Sequence, residues 1–235
     1  MEGLNRPDKP YPLIQFNNAD AIDECKIMSD ADMGGFSKAS LTWQPQSGTE
    51  PAHARFRGSI STELPPNRPE IQRSGYVGWR TRDKSRTLFG KGLWDIDPYS
   101  YLALKIKSDG RRYHINIQTE SIVPTDIHQH RLYTQSSGEW ETVVVSFTEF
   151  VRTNYGMVVE PQKEMMRQRV RSVGIGLIDR VTGPFDISIA EIYATNDSGG
   201  RKVPRRDDDD EAAMFGDLAP KKPDHKENQP EQILI

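Results

Sequence analysis

The sequence predicts an all-β chain folded as a sandwich or jelly roll, and three observations carry that expectation. Between about residues 52 and 195, apolar residues recur with a period of two in short runs. Gly, Pro, Asn or Asp separates one run from the next, and helix signals are few. Seven or more such strands, each with one apolar face, have to stack in two layers to bury those faces.

Along the chain, residues 1–13 read as an N-terminal extension, residues 14–195 as the folded domain and residues 196–235 as a disordered tail. Asn17 or Asn18 can cap a short helical turn through Ala19 to Cys25. Asp30-Ala31-Asp32-Met33-Gly34-Gly35 is an acidic glycine turn. Runs at Ala54–Ile60 and Ser74–Thr81 read as strands. In Tyr101–Lys107, Leu102, Leu104 and Ile106 share one face; after Ser108-Asp109-Gly110, Tyr113, Ile115 and Ile117 share one face of the next run. An Asp-Gly pair tolerates positive φ, so residues 101–119 are expected to form a tight hairpin. Val143, Val145 and Phe147 repeat the alternation, as do Val173, Ile175 and Leu177, and then Phe185, Ile187 and Ile189 after Gly183-Pro184. Pro161, suited to a first helical position, predicts a short helix through Glu164, Met165, Met166 and Arg169.

Composition narrows the function classes. The net charge is −3, with 31 basic and 34 acidic side chains. Ten acidic and seven basic ones lie in 197–235, so the rest of the chain is neutral with twenty-four of each sign. A neutral body argues against nucleic-acid binding; the counter-signal is the local cluster Arg80, Arg82, Lys84, Arg86 and Lys91. The tail holds the acidic block Asp207–Glu211, four prolines and one aromatic, Phe215, too little to offset its ordering entropy. No apolar run approaches the length of a membrane-spanning helix. The single Cys25 permits no internal disulfide and points to a reducing compartment. Residues 1–12 match neither a signal nor a transit peptide, which leaves a cytosolic location open.

Candidate chemistry is sparse. His114, His128 and His130 are the obvious metal candidates, with His128 and His130 on one face of a strand, but exposed strand histidines are the simpler reading. Asp30 and Asp32 are weak calcium candidates against a self-bonded glycine turn. Carboxylate pairs such as Glu120 with Glu139 or Asp95 with Asp97 can be nominated for hydrolysis only arbitrarily, and no Gly-x-Ser-x-Gly elbow is present. Trp43, Trp79, Trp94 and Trp140 suit a sandwich core better than a sugar platform, although the latter sustains a carbohydrate- or other ligand-binding module as the alternative.

The ordered series Asp30-Ala31-Asp32-Met33-Gly34-Gly35-Phe36-Ser37, Phe56-Arg57-Gly58, Gly75-Tyr76-Val77-Gly78, Ser108-Asp109-Gly110-Arg111-Arg112-Tyr113, Trp140, Phe147 with Phe150, Gly174-Ile175-Gly176 and Gly183-Pro184-Phe185 resembles the complex I intermediate-associated protein 30 family. The likeness runs from about residue 14 to residue 195, with Ser146 where the family pattern suggests a proline. It implies a galactose-binding-like β-sandwich, without catalytic residues or cofactors, that chaperones assembly of mitochondrial respiratory complex I on the matrix side. The implied partners are complex I subunits, assembly intermediates and fellow assembly factors, with the chain peripheral to the inner membrane through them. On that reading the contact residues are expected on the polar strand faces (Lys105, Lys107, His114, Asn116, Gln118) and in the loop holding Arg80, Arg82, Lys84 and Arg86.

Overall fold

The computed structural model describes residues 7–199 apart from 70, 88, 89 and 124, and the side chains of 85–91 also lie outside the description. Among the described residues fifteen strands form the framework: β1 (Tyr11–Gln15), β2 (Cys25–Ser29), β3 (Lys38–Gln44), β4 (His53–Ile60), β5 (Val77–Thr81), β6 (Lys84–Thr87), β7 (Gly90–Gly92), β8 (Tyr101–Ser108), β9 (Tyr113–Thr119), β10 (Asp126–Arg131), β11 (Trp140–Ser146), β12 (Val151–Asn154), β13 (Met157–Val158), β14 (Val170–Leu177) and β15 (Gly183–Thr195). The first sheet runs β11-β8-β15-β4-β3, with β1 pairing the far half of β15; the second runs β13-β12-β10-β9-β14-β5-β2; β6 and β7 form a ribbon of their own.

All these pairings are antiparallel. Alternation delivers Leu102, Leu104 and Ile106 from the first sheet and Tyr113, Ile115, Ile117, Val173 and Ile175 from the second into one shared core, each essentially without solvent contact. Phe16 stands edge-on to Trp79 at 5.6 Å, and Phe56 lies 5.0 Å from Phe185. Trp79 and Trp94 are buried and Trp43 packs partly against the core, as the core reading expects, whereas Trp140 is half-buried on the outer face of the first sheet and not in the core. Gly58 lets β3 and β4 approach closely, since a Cβ there would stand 1.9 Å from the Lys38 carbonyl oxygen.

Two local expectations need correction. The run 101–119 is not a hairpin: β8 pairs with β11 and β15, whereas β9 pairs with β10 and β14 in the opposite sheet. Both strands are apolar on one face, and crossing the core lets both faces be buried against each other; pairing edge to edge would leave a second layer still to be found. Gly110, at φ +85, serves this crossing. Arg111 locks it through Asp179 (Nε–Oδ2 3.0 Å, Nη2–Oδ1 2.6 Å) and the carbonyl oxygens of Gly183 (3.0 Å), Pro184 (2.8 Å) and Val181. Nor does Pro161 open a helix: the segment holds only a 3₁₀ turn, Arg167–Arg169, because Met165 packs on the core and Ile96 N–H bonds to the Arg167 carbonyl oxygen at 2.9 Å. The early turn does form, as 3₁₀ Ala19–Ile22, with the Asn18 carboxamide accepting from Ala21 N–H. Among the described residues no helix is long and apolar enough to cross a membrane. The tail expectation falls, from residue 200 on, outside the described residues.

Candidate partner-binding surfaces

The crossing between β8 and β9 separates the expected contact residues. Lys105 and Lys107 lie on the outer face of the first sheet; Arg80, His114, Asn116 and Gln118 lie on the outer face of the second, on the other side of the molecule. Two surfaces therefore have to be considered.

On the first, the registers align Trp140, Lys107, Ser188, Arg55 and Thr42 across five strands. Glu50, from the loop before β4, reaches over them: Lys107 Nζ donates to its Oε1 at 2.8 Å and Trp140 Nε1 donates to its Oε2. Those two hydrogen bonds, the lysine's first, hold the Glu50 carboxyl below the usual carboxylate range. Arg55 clasps Asp186 two-pronged (Nε–Oδ1 3.0 Å, Nη2–Oδ2 2.5 Å). His53 packs edge-on against Trp140 at 5.2 Å. Glu50, His53, Arg55, Lys107 and Asp186, with Gln44, Ser47, Asp109 and Gly138, wall an open pocket of about 420 Å³. Sequence patterning missed it, because Glu50 sits in a loop without periodicity and its partners are scattered along the chain.

The outer face of the second sheet has a different character. One register row runs Lys26, Arg80, Gly174, Asn116, Gln129 and Val151. The neighbouring row adds His114 and Arg131, and β14 adds Ser172 beside Gln118. The paired strand residues on this face include three cations and no carboxylate. Thr153 Oγ1 donates to Gln129 Oε1 (2.8 Å), and Gln129 Nε2 donates to Asn116 Oδ1 (2.8 Å). The His114 ring is buried with Nδ1 lacking a hydrogen-bond partner. Burial first, and the Arg131 charge second, push its pKa down to about 4, so the ring is neutral at neutral pH. Around the face, Arg80 bonds Asp83 (3.0 Å), Arg82 Nε donates to the Asp23 carbonyl oxygen (2.9 Å), and Lys84 Nζ lies 4.4 Å from the Trp94 ring centroid. The Arg86 side chain lies outside the described residues.

The acidic glycine turn is a staple. Asp30 is 1 % exposed and accepts from Ser37 N (2.9 Å), Ser37 Oγ (2.7 Å), Gly75 N (2.6 Å) and, more weakly, Tyr76 N (3.4 Å). The protein's own donors thus saturate the carboxylate; Asp32 caps the same turn from the surface. His128 and His130 share the inner face of the second sheet while His114 is on its outer face, so the three do not converge. Burial pushes the Cys25 thiol up to about 12, which keeps it protonated.

Two stacked antiparallel sheets with a shared core, short 3₁₀ turns and polar outer faces define a galactose-binding-like β-sandwich of the jelly-roll type. The fold is similar to that of the family 11 carbohydrate-binding module of Clostridium thermocellum in complex with a β-1,3-1,4-mixed-linked tetrasaccharide: TM-score 0.53, 16 % identity, 80 % of this chain and 95 % of that one. A second structure of that module, from the cellulase Lic26A-Cel5E, also gives 0.53. The chain belongs to the complex I intermediate-associated protein 30 family, whose sequence profile matches residues 14–189. Over 214 residues it is 44 % identical to the Complex I intermediate-associated protein 30, mitochondrial, of Neurospora crassa, covering 83 % of this chain and 77 % of that one. The proteins of the same name in Drosophila melanogaster and Mus musculus are 26 % and 28 % identical, over 84 % and 74 % of this chain. The match spans about half the length of the mouse relative (53 %) and 67 % of the fly one.

Proposed function

We propose that this chain is a non-enzymatic assembly factor for mitochondrial respiratory complex I, working on the matrix side through protein–protein contacts of its sandwich. The observation that carries the reading is family membership across the whole folded domain, at 44 % identity to a relative named for complex I intermediates and for mitochondria. The geometry supports a contact role. The outer face of the second sheet is polar, carries Lys26, Arg80 and Arg131 on its strands with Arg80 paired to Asp83 at the rim, and is held in shape by its own amide chain, which suits a rigid docking platform. On the other face Arg55 pairs with Asp186 and Lys107 with Glu50. Contacts are assigned to Arg80, Asn116 and Gln118 on one side, with the buried His114 beneath them, and to Lys105 and Lys107 on the other. The test is complementation: expressed in a Neurospora crassa strain lacking its relative, the chain is expected to restore assembled complex I. A stable, mitochondrially targeted chain that restores none would overturn the proposal.

A second reading, a small-ligand module, rests on the pocket between Glu50, His53, Arg55 and Asp186, with Trp140 beside it. Calorimetry of the full chain against a panel of oligosaccharides checks it; saturable binding lost in Trp140→Ala supports it, and the absence of binding removes it.

A further inference from the structure

Several ends of the second sheet come together along one edge. β5 ends there at Thr81, β9 at Thr119 and β12 at Asn154, while β10 starts at Asp126 and β14 at Val170; the pairs Thr119–Val170 and Asp126–Asn154 fix the alignment. Two ion pairs from the start of β14, Arg169–Glu120 and Arg171–Asp83, tie the connections after β9 and β5 to the same edge. Two neighbouring loops on this edge present large apolar side chains to solvent. Ile122 is 101 % and Tyr155 84 % exposed, with Val123 beside Ile122 at 44 %. Asn154 Nδ2 stitches the loops together, donating to Thr125 Oγ1 (2.9 Å) and Asp126 Oδ1 (2.7 Å). The turn itself is unusual. Tyr155 (φ +49) and Gly156 (φ +75) both occupy the left-handed region, where Asn-Gly is the ordinary choice and an aromatic is strained. Neither folding nor solubility favours a tyrosine there, and strain of this kind collects at functional positions.

The same edge is basic. Asp83 is neutralised by Arg80 and Arg171, and Arg82 and Lys84 are exposed. Exposed apolar tips with an aromatic among them, on an edge that also carries exposed cations at its β5 end, match the surface of an anionic bilayer: the tips enter the apolar boundary and the cations meet the headgroups. The geometry points to direct docking of this edge on an anionic phospholipid bilayer, with Ile122, Val123 and Tyr155 inserted at the headgroup–acyl boundary. The assignment does not depend on which complex the chain serves.

The test is flotation of the full chain with phosphatidylcholine vesicles, with and without phosphatidylglycerol, at rising salt, for the wild type and the double variant Ile122→Ser/Tyr155→Asn. Asparagine tolerates the left-handed turn and both sites are exposed, so the variant keeps its melting temperature. The wild type floats with the anionic vesicles, less so as salt rises, and the variant's partition coefficient falls by more than about tenfold. A wild type that ignores both vesicles, or a variant that floats like the wild type, overturns the proposal. So does a variant that loses co-purifying proteins while the wild type shows no lipid binding, which would make the tips a protein contact.

Discussion

Replacing Asp30 by alanine separates a structural carboxylate from a calcium ligand. The side chain is buried and receives three short hydrogen bonds, from Ser37 N, Ser37 Oγ and Gly75 N. In the variant, Ser37 Oγ keeps the Ser61 carbonyl oxygen (3.2 Å) as an acceptor, whereas the two backbone N–H groups lose their principal acceptor. Each orphaned buried donor costs about 1–3 kcal/mol, so the expected loss is about 4 kcal/mol. At a urea dependence of about 2 kcal/mol per molar, that moves the unfolding midpoint down by about 2 M. The assay is equilibrium urea unfolding, run once with a chelator and once with calcium. A loss below about 1 kcal/mol, or one that appears only with calcium present, would refute the reasoning. Gly35→Ala probes the same joint, because a Cβ at 35 would stand 2.6 Å from the Asp30 carboxyl carbon.

Other positions give further tests. Arg111→Ala leaves Asp179, whose side chain is 5 % exposed, without its counter-charge at the sheet crossing; about 3–5 kcal/mol should be lost in urea unfolding, and a neutral result would contradict the anchoring role. Gly58→Ala forces β3 away from β4 and should cost about 3 kcal/mol, read as a fall in melting temperature; an unchanged melt would show that the strands can part freely. The burial-lowered pKa values of His114 and His128, each about 4 against an ordinary 6.5, set a pH dependence. Because the folded values are the lower ones, the unfolded chain takes up protons first, so the stability contributed above pH 6.5 drains away down to about pH 4. At about pH 5 each ring accounts for a loss of about 2 kcal/mol, and His114→Gln should flatten the profile by its share; equal stability at pH 7 and pH 5 would contradict both shifts.

Much of the fold is legible in the alternation of the chain, because a period of two records which face of a strand is buried. It does not record which sheet the strand joins. Leu102, Leu104 and Ile106 face the core whether residues 108–112 turn tightly or cross between layers, and Asp109-Gly110 suits either path. What decides is long-range: Arg111 meets Asp179 and the carbonyl oxygens near Gly183 only after the chain has come around. The helix expected after Pro161 failed for a related reason, since Met165 and the Arg167 carbonyl oxygen are claimed by the core and by Ile96. Of the surfaces, the cluster Arg80, Arg82 and Lys84 is visible as charge, but that it shares one edge of the second sheet with Ile122 and Tyr155 follows only from strand order. Asp30 left a partial signal, an aspartate before Gly-Gly and a serine, without showing that backbone from residue 75 would complete the site.

The central claim is that this sandwich serves complex I assembly by contact. The most direct measurement is native affinity purification of the tagged full-length chain from mitochondria, with subunits identified by mass spectrometry, beside a variant carrying Arg80→Glu and Asn116→Asp on the outer face of the second sheet. Complex I subunits and other assembly factors are expected with the wild type, and a marked loss of them with the variant. A well-folded wild-type chain recovered from mitochondria without any complex I component would contradict it.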